Sequence, residues 1–149
     1  MITENFSVKG DLVIEVRNPV TGEIKDRREL KNLVVTTGKT FIASRMTGAS
    51  ATVMGWIGVG TSSTAAAVGD TTLGTEVTRV ATTVSGGTAS TNTVTYVTTF
   101  VAGSGTGALV EAGIFNAASA GTMLARTVFS VVNKGAADEM TITWVITVG

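Results

Sequence analysis

The side chains able to do chemistry are few, and their spacing narrows the choice. Glu76 and Glu111 are both set into strand-like apolar segments, and a pair of carboxylates held apart across a cleft is what glycoside hydrolysis requires. Such a cleft also needs aromatic platforms, and Trp56, Tyr96 and Trp144 are the only Trp and Tyr side chains in the chain. Arg79 and Arg126 are equally isolated in apolar strands. Because an ion taken out of water needs a partner, the simpler expectation is that Glu76 and Glu111 pair with Arg79 and Arg126, within a subunit or across an interface.

Other motifs carry less. Gly103-Ser104-Gly105-Thr106-Gly107 has the glycine density of a phosphate loop but leads into a strand, and a phosphate site needs a helix N-terminus there. Gly58-Val59-Gly60-Thr61-Ser62 lacks the Gly-Lys-Ser/Thr ending, so both runs read as turn glycines. Asp70, Asp138 and Glu139 are loop acids without calcium-loop spacing. Asn5-Phe6-Ser7 matches a glycosylation sequon, which has no consequence without secretion. Lys25, Arg27, Arg28 and Lys31 form a basic cluster, but Glu23, Asp26 and Glu29 are interleaved with it and cancel its long-range pull on phosphate. With Lys9 and Arg17 of the preceding segment, these cations are the candidates for contact with a protein partner. A mixed-sign ribbon of this kind protects an exposed edge or pairs in register with a complementary surface.

The composition agrees with a non-catalytic reading. The chain has 149 residues, one domain's worth, with no Cys and no His, so thiol nucleophiles, zinc, haem and iron-sulfur ligation and the Ser-His-Asp arrangement lose their usual groups. No enzyme, cofactor or metal is expected. Eleven basic and eleven acidic side chains give zero net charge, against binding to nucleic acid or an anionic membrane. Met1-Ile2-Thr3-Glu4-Asn5 lacks the basic and apolar regions of a secretion signal, and no run approaches the roughly 20 apolar residues of a membrane span. A soluble protein, not secreted by a cleaved signal, is the expectation.

These residues must be positioned by strands. Twelve of the 22 charged residues fall within the first 32 positions, which predicts a charged β-ribbon or arm over 1–31 and a second unit over 32–149. In the ribbon, Leu12, Ile14 and Val16 alternate with polar residues, and Asn18-Pro19-Val20-Thr21-Gly22 supplies the turn. A short β-branched run, 32–36, precedes one helix in which Phe41, Ile42, Arg45 and Met46 share a helical spacing. Strands follow over 53–60, 76–84, 93–101, 108–115, 122–132 and 139–148, with 61–72 and 85–92 as polar surface loops. The last strand sets Met140, Ile142, Trp144, Ile146 and Val148 against Thr141, Thr143, Val145 and Thr147, a core face and a threonine ladder. The fold class expected is all-β: an antiparallel β-sandwich, jelly-roll-like, with one short helix and an N-terminal ribbon.

Several blocks carry a resemblance. Asn32-Leu33-Val34-Val35-Thr36-Thr37-Gly38-Lys39, Trp56-Ile57-Gly58-Val59-Gly60-Thr61, Glu111-Ala112-Gly113-Ile114-Phe115-Asn116 and Met123-Leu124-Ala125-Arg126-Thr127-Val128-Phe129 with Asn133-Lys134-Gly135 resemble tailed-bacteriophage virion structural proteins over roughly 32–148. The resemblance implies a structural protein of the virion. Similar blocks occur in tail-fibre and collar proteins, whereas one compact domain without shaft repeats is similar to capsid cement or decoration proteins. A cement protein implies the major capsid protein as partner, a homo-oligomer such as a trimer, and a place on the capsid surface after synthesis in the host bacterium. The alternative is a tail, collar or tail-fibre component that presents loops 61–72 and 85–92 to a host.

Overall fold

The computed structural model describes residues 3–149. Alternating β-branched and polar residues give ten strands, and a single helix interrupts them. In chain order these are β1 Val8–Arg17, β2 Ile24–Lys31, β3 Leu33–Val34, α1 Thr36–Arg45, β4 Trp56–Gly60, β5 Glu76–Ala81, β6 Thr88–Ser90, β7 Thr93–Phe100, β8 Gly107–Phe115, β9 Met123–Lys134 and β10 Glu139–Val148. They form two antiparallel five-stranded sheets, ordered β2-β1-β10-β7-β6 (sheet A) and β3-β9-β8-β4-β5 (sheet B). The protein is an all-β sandwich.

The core is what the alternation dictates. Met140, Ile142, Trp144 and Ile146 of β10 and Leu12, Ile14 and Val16 of β1 point inward from sheet A, and Ile57, Val59, Leu109, Ala112 and Ile114 meet them from sheet B. Burial of each large side chain contributes about 1.5–3 kcal/mol relative to exposure. Trp144 brings a polar atom into this layer, and its Nε1 donates to Asn32 Oδ1 at 2.6 Å. Asn32 reaches the indole by lying across Gly10, where any Cβ would collide with its amide.

Helix α1 forms where the spacing predicts, but not every residue of that spacing is covered. Phe41 and Ile42 pack on the core, whereas Met46, just past the helix, is 90% exposed. Helix α1 approaches β9 at Gly38, whose missing Cβ leaves room for the Leu124 carbonyl. The 85–92 stretch, expected as a loop, holds the short edge strand β6. Among the described residues no helix is long and apolar enough to cross a membrane.

The charged ribbon differs most from expectation. The charge contrast predicts an arm over 1–31, yet β1 pairs with β10 along its whole length, from Val8 opposite Val148 to Arg17 opposite Glu139, and supplies three core side chains. The charges lie on the outer face of a strand whose inner face is core, so composition changes at residue 32 while the fold does not. Met1 and Ile2, part of the stretch read for a secretion signal, lie outside the described residues.

Candidate functional site

The outer face of sheet B is built around two rungs. One runs Arg79, Gly58, Gly113, Arg126 across β5, β4, β8 and β9, and the next runs Glu76, Gly60, Glu111 across β5, β4 and β8. Glycine between the charged residues is a steric requirement. A Cβ at Gly60 would collide with the Thr75 carbonyl and the Glu111 carboxylate, and one at Gly58 would lie 2.7 Å from Glu76. The glycines therefore clear a track along which long side chains lie flat.

Each arginine ties down one loop. Arg126, 2% exposed, donates to Glu111 Oε2 through Nε (3.1 Å) and Nη2 (2.9 Å), to Asp70 at 2.8 Å and to the Thr64 carbonyl at 2.9 Å. Glu111 is fully buried and accepts the backbone N–H groups of Ser62 (3.1 Å), Gly74 (2.9 Å) and Thr75 (2.8 Å). Burial alone would push its carboxyl up. The N–H groups of Thr75 and Gly74, with Arg126 and Ser62, outweigh this and hold it below the ordinary carboxylate range. At the other end, Arg79 lies 3.5 Å over the Phe115 ring, pairs with Glu76 at 2.9 Å and donates to the carbonyls of Ala117 and Ala120. Leu73, Phe115, Met123, Val35 and Trp56 fill the space beneath as a second apolar cluster. Thus 61–72, expected as a plain surface loop, forms with 73–75 a cap over one face of the sandwich.

That geometry gives both glutamates their partners within the chain. Glu111 is saturated by donors and shut off from solvent, so it has neither a proton to give nor access to a substrate. The acids considered for calcium are spoken for as well: Asp70 by Arg126 and the Ala67 N–H, Asp138 by Lys25 and the Gly135 N–H, Glu139 by Arg17.

The outer face of sheet A is the opposite case, since no element of the sheet order covers it. Lys9, Asp11, Val13, Glu15 and Arg17 of β1 lie beside Thr147, Val145, Thr143, Thr141 and Glu139 of β10, and Thr93, Thr95, Val97 and Thr99 of β7 continue the rows. Val13, Thr143 and Val145 line a hollow on this face with Asp11, Glu29 and Lys31. Toward β2 it becomes ionic. Glu139 pairs with Arg17 (2.7 Å), Arg17 with Glu15 (3.8 Å), Glu15 with Arg27 (3.8 Å) and Arg27 with Glu29 (2.8 Å), a chain of alternating sign. Lys31 pairs with Asp11 at 2.9 Å and Lys25 with Asp138 at 2.6 Å, whereas Arg28 and Asp26, opposite the inward-facing Ile14 and Val16, pair at 2.8 Å on the other side of β2, where Arg28 also donates to the carbonyls of Ser130 and Val131. Of the six candidate contact cations, five thus sit in pairs or networks with carboxylates, and Lys9 lies outward opposite Thr147. The surface is a checkerboard, not a positive patch.

Lys134 was missed in the sequence. It is 2% exposed at the end of β9, and its Nζ donates to the Val101 carbonyl at 3.0 Å. Burial pushes its ammonium group below the usual lysine range, against the opposing pull of Asp138 and Glu139. The signal was present: Lys134 falls two residues after the buried Val132, on the same face of the strand.

These features define the class, a two-sheet antiparallel sandwich with one face capped and one open. Compared with protein-family models, curated proteins and solved structures, the chain has no significant match in any of the three.

Proposed function

We propose that this chain is a non-enzymatic structural protein of a tailed-bacteriophage virion, of the capsid cement type, which lays the outer face of sheet A on the lattice of the major capsid protein. The observation that carries the reading is the contrast between the faces. Sheet B spends two buried arginines and fifteen residues of chain on closing its outer face, whereas sheet A presents four strands of Thr, Val and paired charges to solvent. Exposed ion pairs contribute only about 0–1 kcal/mol each to stability, so such a network is better explained by the pattern it presents. Alternating charge along one side of an apolar and threonine-rich surface gives register and partner choice. The sequence blocks similar to virion proteins supply the context, and assembly of many copies as small homo-oligomers would stabilise the mature shell by mass action.

The test is binding of the purified protein to undecorated shells of the phage that encodes it. Val145→Arg, at the centre of the open face, is expected to abolish binding while leaving the melting profile intact. Thr72→Arg, in the cap, is expected to bind as the unaltered chain does. Loss of binding in Thr72→Arg with retention in Val145→Arg would overturn the assignment of the docking face. Binding to host cells instead of shells would favour the tail or host-attachment alternative, with the loops 61–72 and 85–92 as its contact.

A further inference from the structure

The edge strand β2 is paired with β1 on one side and, among the described residues, with no strand on the other. An unpaired edge is a standing template for another strand. Its backbone phase follows from one bond: the Asn32 N–H donates to the Gly10 carbonyl, so in the antiparallel alternation the main-chain groups of Lys31, Glu29 and Arg27 face away from β1.

We propose that the occupant of this edge is β2 of a second copy of this chain, paired antiparallel about a two-fold axis through Arg27, so that the two A sheets become one continuous ten-stranded sheet. The charge order of the strand selects this register. A two-fold axis perpendicular to the sheet keeps both sandwiches on the same side and places residues of equal parity opposite each other. With Arg27 on the axis, Asp26 faces Arg28 of the second copy and Lys25 faces Glu29 of the second copy, and both pairs occur twice by symmetry. The one like-charged contact, Arg27 with itself, lies between carboxylates already in place, Glu29 at 2.8 Å and Glu15 at 3.8 Å.

The neighbouring registers fail on the same criterion. With Asp26 on the axis, Asp26 faces itself and Lys25 faces Arg27 twice. With Arg28 on the axis, Arg27 gains Glu29 twice, but Arg28 faces itself and Lys25 faces Lys31 twice. With Glu29 on the axis, Glu29 faces itself and Arg27 faces Lys31 twice. Like charges directly opposite on adjacent strands destabilise the pairing and opposite charges support it, so among the registers that pair at least five residues of β2 only the Arg27 register has more opposite-charge than like-charge contacts. The β-bulge where β2 meets Val16 and Arg17 falls at Lys25, the end of the paired stretch, and limits the ladder to this length. Two-fold pairing makes the unit a dimer in place of the trimer that the family resemblance implies, and it stands independently of any shell.

The experiment is a charge-swap complementation read by sedimentation. The unaltered chain is expected to sediment at twice its 15.2 kDa mass, with association weakening as salt is raised. Asp26→Arg and Arg28→Asp each place like charges opposite one another twice, so each alone is expected as a monomer. An equal mixture of the two makes every such contact complementary and is expected to restore the dimer mass. A monomeric or trimeric unaltered chain, dimeric single variants, or a folded mixture that stays monomeric would each overturn the proposal. If either variant fails to fold, hydrogen exchange of the unaltered chain decides. Protection of the Arg27 and Glu29 amides that rises with protein concentration supports the pairing, and free exchange of both at every concentration refutes it.

Discussion

Glu111→Gln changes one oxygen to an amide nitrogen at the point where five donors converge: the N–H groups of Ser62, Gly74 and Thr75, and Nε and Nη2 of Arg126. The substitution keeps shape and removes charge, so its effect isolates electrostatics from packing. Removing one partner of a buried ion pair costs about 3–5 kcal/mol, because the other charge is left uncompensated. Asp70 remains beside Arg126 but is partly exposed and offsets little of this. For a chain of this size the loss corresponds to a fall in melting temperature of roughly 6–20 °C. Urea and thermal unfolding followed by circular dichroism read the global effect, and hydrogen exchange at Ser62, Gly74 and Thr75 reads release of the cap. Arg126→Met in the same background removes the stranded charge, so the double variant is expected to lose less than the sum of the singles by about 1–3 kcal/mol. The pH dependence has a fixed sign. The folded carboxyl lies below its unfolded value, so its contribution is fully present above the ordinary carboxylate range and is lost as pH falls through the depressed folded value. Glu111→Gln removes that acid-sensitive component. A Glu111→Gln protein within about 1 kcal/mol of the unaltered chain, with Ser62 and Thr75 still protected, would refute the cage.

Four further outcomes follow from the packing. Gly38→Ala raises intrinsic helix propensity by about 1 kcal/mol, yet it drives a methyl group into the Leu124 carbonyl, so urea unfolding is expected to show net destabilisation. Lys134→Met replaces a nearly buried ammonium held by one carbonyl with an apolar chain of similar length, and calorimetry is expected to show stabilisation of about 1 kcal/mol or more. The same lysine, depressed in the folded state, makes stability of the unaltered chain rise with pH in the alkaline range below the usual lysine value, a slope that Lys134→Met removes. Deletion of residues 1–31 is expected to leave a chain without cooperative unfolding, since it strips β10 of its neighbour and takes Leu12, Ile14 and Val16 from the core.

The strands were legible because their signal is local. β10 is read to the residue from the alternation of Met140, Ile142, Trp144 and Ile146 with threonines, and α1 from its spacing to within a position. The pairing of Glu111 with Arg126 and of Glu76 with Arg79 was legible from the cost of burying a charge, which requires a partner whatever the topology. What these pairs do was not legible. That Arg126 and Glu111 reach over Gly60 and Gly113 to hold the segment 61–75 depends on strand order, and nothing in the Ser/Thr/Ala/Gly composition of that segment distinguishes a pinned cap from a free loop. The arm expected over 1–31 shows the converse. Charge density marks one face of β1, while pairing with the last strand of the chain, more than a hundred residues away, decides where β1 belongs.

The proposal that this chain is a cement protein on a shell of many identical subunits is tested most directly by its copy number in purified particles of the phage proposed to encode it. Quantitative mass spectrometry against the major capsid protein gives that number without disturbing the assembly. A one-to-one or simple fractional ratio to the capsid subunit is the result expected of a cement protein. A handful of copies per particle, or none, would contradict it.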